Sequence, residues 1–495
     1  MRSTLFWTWL PLIVAMVLFG GPIPGSGFVA DDAFNLATHA NHGDWAGEWS
    51  SPTYAHAGGD RGHIWRPIPA WLQHVAASGF GRVGSTFRAL NLGVHLINIL
   101  LISAIARRLG ASSTAAGLAA LFWTTHAAMP EAVCWSSDIY DLVATTFALL
   151  ATGAATSSDP RVRWVGVSAL TLAACLSKES SVALAPALAA AAWAAGGTRR
   201  AVDAGIASIA GVVAYGAMHR SITDQNYADV AASVPFSEAA DAALMNIGWW
   251  ASPPARAPMA HLFNPATDSP EVLMGAVTLV GISLLIAHQF RHGSRASYLL
   301  AGIVAAVSLT APAAFGIPFI GVAPLRYVYM PLAVGLAIAA SRWTGSVARP
   351  WIIGILMVGV LGSQRIASRT PAFANDASLW SAERRLEPSN SYAAGSLARA
   401  WIADGRTREA VELWASAIES APEGVRVFDK ANERWLLGQT AFMKGHPDIA
   451  LTQVLKLLNS IDQPVPAMAH CLHADSLDAL GRHEEALKVA QRCEP

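Results

Sequence analysis

Up to about Arg369 the chain runs in long apolar stretches separated by short polar breaks, and from Asp376 onward the pattern changes to amphipathic helices broken by glycine turns. An α-helix needs ~15–20 apolar residues to cross a bilayer, and about eleven windows approach that length. They lie near Leu5–Gly21, Phe87–Ala106, Ser113–Thr125, Leu142–Ala155, Trp164–Leu176, Val182–Ala195, Ala201–Met218, Val272–Phe290, Tyr298–Phe315, Val328–Ala340 and Trp351–Ser363. The pattern predicts an all-α protein: a polytopic transmembrane bundle of about eleven helices over 1–370, followed by a soluble helical domain over 376–495. Two long connections interrupt the bundle, 22–86 and 219–271.

The first window follows Arg2 and precedes the small residues Gly25, Ser26 and Gly27, as a secretory signal would. Because many apolar windows follow it, it reads as a retained first helix. Orientation comes from the short connections, since Lys and Arg are retained on the cytoplasmic side. Arg107/Arg108, Arg161/Arg163, Arg199/Arg200, Arg291/Arg295 and Arg342/Arg349 fall in alternate connections. Those connections and the N-terminus are therefore expected inside. The two long loops and everything after Ser363 are expected outside.

Three segments after Asn375 align. Ser391–Pro422 carries Trp401, Gly405, Glu409-Ala410 and Trp414; Glu433–Leu458 carries Phe442, Gly445 and Ala450; Ala467–Cys493 carries Leu480-Gly481 and Glu485-Ala486. A Gly-to-Ala offset of five residues recurs in all three, with units near the ~34 residues of tetratricopeptide repeats, which this region resembles. Such an α-solenoid binds a partner protein on its concave face or serves as a packed cap, and the sequence leaves both open. It also leaves open a Cys471–Cys493 disulfide, which antiparallel packing of the last two helices would allow. Cys134 and Cys175 have no evident partner.

Composition adds that 53% of residues are hydrophobic and only 14% charged, too apolar for an ordinary soluble protein. Net charge is zero, so bulk electrostatics give no argument for nucleic acid. Arg outnumbers Lys, and Ala and Gly are abundant. That bias is associated with GC-rich bacterial genomes, which places the expectation at a bacterial inner membrane with the repeats in the periplasm.

Ionisable residues beside a membrane are costly and therefore informative. In the expected topology nearly all reach the outer side. Asp31-Asp32 follow the first helix. Arg66 lies in Ile64-Trp65-Arg66-Pro67-Ile68. His126, Glu131, Asp138 and Asp141 flank a turn that includes Pro130-Glu131-Ala132-Val133-Cys134-Trp135. Ser177-Lys178-Glu179 follows the fifth window, and Arg326-Tyr327 opens Arg326-Tyr327-Val328-Tyr329-Met330-Pro331. Carboxylates and cations on one face suit sugar transfer from a lipid phosphate: a carboxylate takes the proton of an acceptor hydroxyl while Lys or Arg stabilises the departing phosphate. Carboxylates also favour the oxocarbenium-like sugar in between.

On these residues the chain resembles the C-type glycosyltransferases, most closely the transmembrane and tetratricopeptide-repeat-containing O-mannosyltransferases. In that family an acidic pair follows the first helix, and an Arg-Pro comes later in the same loop. A His-Pro-x-x-x-Glu-Ala-Val-x-Trp turn then precedes an Asp-Leu, followed by Ser-Lys-Glu, Arg-Tyr-x-Tyr-x-Pro and repeats. The order is kept over nearly the whole chain, with departures at Ala127, where the turn lacks its Pro, and at Leu325, where Glu is common. The resemblance implies an inverting enzyme moving a sugar, mannose by analogy, from a polyprenyl-phosphate carrier to a protein hydroxyl. It implies Asp31 as base and Asp32 as the acid that orients the loop or the substrate, with Arg66, Lys178 and Arg326 on the donor phosphate. It also implies His126, Glu131, Asp138, Glu179 and Tyr327 as substrate-binding or supporting residues. Basic side chains can neutralise a monophosphate leaving group, so no metal is obligatory.

Other readings exist. O-antigen ligases and polymerases also carry many helices, but their key basic residues lie in a large late loop, and here the late loops are short. A membrane scaffold presenting the repeats would not need Asp31, Lys178 and Arg326 on one side, and a transporter would place ionisable groups at mid-membrane. His39, His42, Asp44, His56, Asp60 and His63 crowd the first loop without a metal-site spacing. Asn91, His95 and Asn98 share a helix face and read as interhelical hydrogen-bonding groups. Trp249-Trp250, near Arg256 and His261, read as an interfacial re-entrant element or a sugar platform, the interfacial role being preferred.

Overall fold

The computed structural model describes residues 2–32, 46–53, 64–223, 233–251, 261–262, 269–292, 296–320, 322–421, 428–460 and 467–493. Helices occupy every apolar window marked by the sequence and parts of the connections between them. They are α1 (Arg2–Ala15, prolonged by a wider turn Met16–Gly20), α2 (Pro67–Phe80), α3 (Gly84–Arg108), α4 (Ser113–Thr124), α5 (Met129–Cys134), α6 (Ile139–Ala155), α7 (Val167–Cys175), α8 (Leu184–Gly196), α9 (Thr198–Ile222), α10 (Phe236–Ala251), α11 (Ser269–His292), α12 (Ala296–Ile320), α13 (Tyr329–Ala339) and α14 (Arg349–Arg369). Among the described residues the extended pieces are His261–Leu262 and Val322–Ala323. Helices α2 and α10 fall inside the connections that sequence patterning treats as loops. Each is too punctuated by polar residues, among them Gln73, His74 and Ser78 in α2 and Glu238, Asp241 and Asn246 in α10, to register as an apolar window.

Local chemistry sets the boundaries. Arg107 and Arg108 close α3, where cations suit the helix C-terminus. Gly110 then turns the chain at φ 96°, and the Ser112 side chain accepts the Ala115 N–H to cap α4. Proline stands in the first turn of α2, α5 and α14, where its missing N–H costs nothing.

Among the described residues four helices, α3, α9, α12 and α14, are long and apolar enough to cross a membrane. Helices α4, α6, α8 and α13 are shorter, at 12, 17, 13 and 11 residues. Small residues let these helices meet closely. A Cβ at Gly117 of α4 would sit 2.5 Å from the Trp7 carbonyl oxygen of α1, and one at Gly302 of α12 would sit 2.6 Å from the Gly335 carbonyl oxygen of α13. The polar face of α3 works as expected: Asn91 donates to Trp135 O (2.8 Å), Asn98 to Leu142 O (3.0 Å), and His95 Nδ1 lies 2.8 Å from the Tyr329 hydroxyl.

The helices up to α14 form one compact unit and those from Asp376 onward a second. The second comprises α15 (Asp376–Leu386), α16 (Ser391–Ala403), α17 (Thr407–Ser420), α18 (Lys430–Met443), α19 (Pro447–Ser460), α20 (Ala467–Ala479) and α21 (His483–Ala490). Its turns at Gly405, Gly445 and Gly481 all have φ near +80°, which only glycine adopts without cost. Five residues beyond each, Ala410, Ala450 and Ala486 are buried. Trp414, Phe428 and Leu437 fill the core between successive pairs, and Cys471 is disulfide-bonded to Cys493 with Cα atoms 4.8 Å apart.

Candidate functional site

The acidic pair is set by a backbone device. Ala30 has φ +54°, a left-handed conformation that costs a non-glycine residue energy and is kept where its surroundings require it. It turns the chain so that Asp32 faces inward: Oδ2 accepts the Val29 N–H (3.0 Å), and Oδ1 accepts both the backbone N–H and the hydroxyl of Ser137, each at 2.7 Å. Asp32 has no exposure, whereas Asp31 beside it is half-buried. Burial pushes the Asp32 carboxyl up to about 7 against these hydrogen bonds.

Ser137 belongs to the turn Ser136–Asp138 between α5 and α6, which leads into a cluster drawn from distant positions. Glu131, in the first turn of α5, is fully buried. It accepts the Arg326 guanidinium and also the Arg326 backbone N–H at 3.1 Å. Arg326 stands in a helical turn Leu325–Val328 that leads into α13, with its guanidinium 4.5 Å from the Trp135 ring centroid. Its Nε lies 3.3 Å from Asp138 Oδ1 and 3.9 Å from Asp141 Oδ2. Asp141 in turn is paired with the Lys178 ammonium, which sits 5.0 Å from the Tyr327 ring centroid. Next to Lys178, Glu179 takes both Nε (2.7 Å) and Nη2 of Arg66, and the Arg66 guanidinium lies over Tyr140 at 4.9 Å.

Electrostatics follow from burial. Burial raises Glu131 to about 7, outweighing Arg326. Burial and the neighbouring Asp141 carboxylate hold Asp138 well above the usual range. Burial also acts on Glu179, but Arg66 outweighs it and brings that carboxyl down to about 2. Arg326 loses by burial and gains more from Glu131 and Asp138, so its guanidinium is held above its ordinary value.

The structure therefore brings Asp32, Arg66, Glu131, Asp138, Lys178, Glu179, Arg326 and Tyr327 into one connected set, with Asp31 at its edge. His126 stands apart from the ion pairs. Its Nε2 donates to Trp250 O (3.2 Å) and its Nδ1 accepts the Ala128 N–H (3.4 Å), and burial lowers it to about 4. It is a neutral strut holding the end of α10. Trp249 and Trp250 are 1% and 7% exposed. They are thus packed inside the protein rather than displayed at an interface, because α10 is covered by neighbouring helices. Arg256 and the first-loop residues His39, His42, Asp44, His56, Asp60 and His63 lie outside the described residues.

Sequence reading did not single out Ser137, Tyr140 or Arg88. Ser137 falls in the turn that already carries Asp138, and Tyr140 in the first turn of α6 beside Asp141. Arg88 is a lone cation at the start of an apolar helix, 3% exposed. It donates to the Gly27 and Phe373 carbonyl oxygens and so ties the segment before Asp31 to the turn Thr370–Ala374 that follows α14.

No protein-family model, curated protein or solved structure matches the chain.

Proposed function

We propose that the chain is an integral-membrane, inverting glycosyltransferase of the C type, with about eleven spans and a tetratricopeptide-type repeat domain. It moves a hexose, mannose in the O-mannosyltransferases it resembles, from a polyprenyl-phosphate carrier to a protein Ser/Thr hydroxyl on the extracytoplasmic face. The observation that carries this reading is convergence: residues of five separate sequence motifs, one of them reaching 195 residues across from Arg326 to Glu131, meet in one ion-paired cluster beside the acidic pair. A scaffold has no use for that arrangement.

In this mechanism Asp31 removes the acceptor proton as the hydroxyl oxygen forms its bond to the anomeric carbon from the face opposite the phosphate. The bond from that carbon to the phosphate oxygen breaks, and its electron pair leaves on the polyprenyl phosphate, held by Lys178 and Arg326. Asp32, locked to Ser137, fixes where Asp31 points. The repeat domain engages the acceptor protein.

The test is sugar transfer from a defined polyprenyl-phosphate hexose by purified protein in nanodiscs. Asp31→Asn should cut turnover by ~10²–10⁴-fold with little change in donor affinity, while Lys178→Ala and Arg326→Ala should weaken donor binding. Full activity in an Asp31→Asn/Asp32→Asn double variant would remove the mechanism.

A further inference from the structure

Each cation assigned to the donor phosphate is already occupied. Arg326 is held by Glu131 and Asp138, Lys178 by Asp141, and Arg66 by Glu179. Around Arg326 three carboxyl groups, Glu131, Asp138 and Asp141, face the two cations Arg326 and Lys178, so the cluster has no spare positive charge. An incoming phosphodiester adds one negative charge to a site where Glu131 is fully buried and Asp138 and Asp141 are 3% exposed. An uncompensated charge there is heavily penalised.

We propose that an anionic phosphodiester headgroup enters this cluster together with one proton, and that Glu131 takes the proton and so releases Arg326 to the phosphate. This rests on the glycosyltransferase reading only in identifying the anion as a lipid-linked phosphodiester. Glu131 is the suited group by geometry. Its carboxylate spans the Arg326 side chain and backbone N–H at once, so protonating it frees the guanidinium without dismantling the turn. Asp141, the alternative, would have to give up Lys178 as well.

The ionisable groups facing Glu131 are few. Arg326 comes from the turn before α13, Asp141 from α6 and Asp138 from the turn between. From α3, His95 is engaged with Tyr329 and Arg88 with Gly27 and Phe373. From α14, Arg369 donates to Ala127 O. The segments Met16–Gly20 and Thr370–Ala374, which also pack on α5, carry no ionisable side chain. With Glu131 already raised to about 7, an added anion raises it further. Binding is therefore strongest where Glu131 is protonated and weakens as pH rises, by about tenfold per pH unit for one linked proton.

The probe is a polyprenyl-phosphate hexose titrated into the full protein in nanodiscs between pH 6 and 8, in buffers of different ionisation heat. Its phosphodiester does not titrate near neutrality, so any proton taken up belongs to the protein. The wild type should take up close to one proton per ligand at pH 8, and its affinity should fall with pH. Glu131→Gln, which has no carboxylate to neutralise, should bind with no uptake and a flat profile. Wild-type binding that is pH-independent and proton-neutral overturns the inference and leaves the glycosyltransferase reading standing. Undiminished proton uptake in Glu131→Gln overturns the assignment to Glu131. No binding by the wild type at any pH removes both this inference and the reading beneath it.

Discussion

Asp32 accepts three hydrogen bonds and has no exposure, whereas Asp31 has a partly open setting on the same strained turn. Adjacent residues point in different directions, so their roles divide, and the buried one leaves a measurable trace in stability. Its folded carboxyl titrates near 7 and its unfolded one near 3.8. The folded state therefore holds this proton over a range in which the unfolded chain has released it. Stability from this group is fully present below about pH 4, declines as pH rises, and levels off above about pH 7. Asp32→Asn, which cannot titrate, should show a flatter melting-temperature profile between pH 4 and 7 in detergent. Parallel profiles for the two proteins would assign the proton elsewhere. The charged members of the cluster were legible in the sequence because ionisable residues beside apolar helices are rare enough to stand out. Their partners were not. Arg66 meets Glu179 across 113 residues and Lys178 meets Asp141 across 37, and nothing local in one sequence couples such positions.

Helix existence was the most legible feature at the scale of elements, since apolar windows of this length have few alternatives. The misses, α2 and α10, are helices whose stability comes from what they pack on: α2 buries Pro67, Ala70, Gln73 and Ala76, and Gln73 donates to Ser136 O. Tertiary contact of that kind leaves no periodic signature strong enough to read. The second unit was legible for the opposite reason, because its positive-φ glycines are a local requirement repeated in each turn. The Cys471–Cys493 bond was left open by sequence, and α20 and α21 bring the two residues together at the end of the last pair. It closes a loop with a sequence separation of 22, for which loop entropy predicts about 3 kcal/mol of stabilisation. Cys493→Ser, or reduction with dithiothreitol, should lower the melting temperature of the intact protein's repeat-domain transition. No shift in either case would mean that packing of Leu477, Leu472 and Ala486 alone holds this pair.

For the molecule as a whole, charge lies at both ends of the same helices. Asp138 and Asp141 stand at the start of α6, and just beyond its other end Arg163 donates to Ser157 O (2.7 Å) and Ser158 O (3.1 Å) and pairs with Asp203 (3.0 Å). A helix of 17 residues separates the two groups by about 25 Å, close to the ~30 Å of a hydrocarbon core. The acid-base cluster and the arginine-rich ends thus suit opposite faces of a bilayer. If the arginine ends are cytoplasmic, an odd number of crossings separates Arg200 from Asn375, supplied by α9, α11, α12, α13 and α14. Helix α13 is the critical one, since 11 residues rise only about 17 Å. The helical turns Leu325–Val328 and Ala340–Arg342 lengthen it at both ends, and its nearly complete burial suits a crossing among other helices rather than against lipid. Reporter domains fused after Arg200 and after Asn375 should therefore register on opposite sides, the second on the extracytoplasmic side. Reporters on the same side would mean that one of the five does not cross, and α13, the shortest, would be the first to exclude.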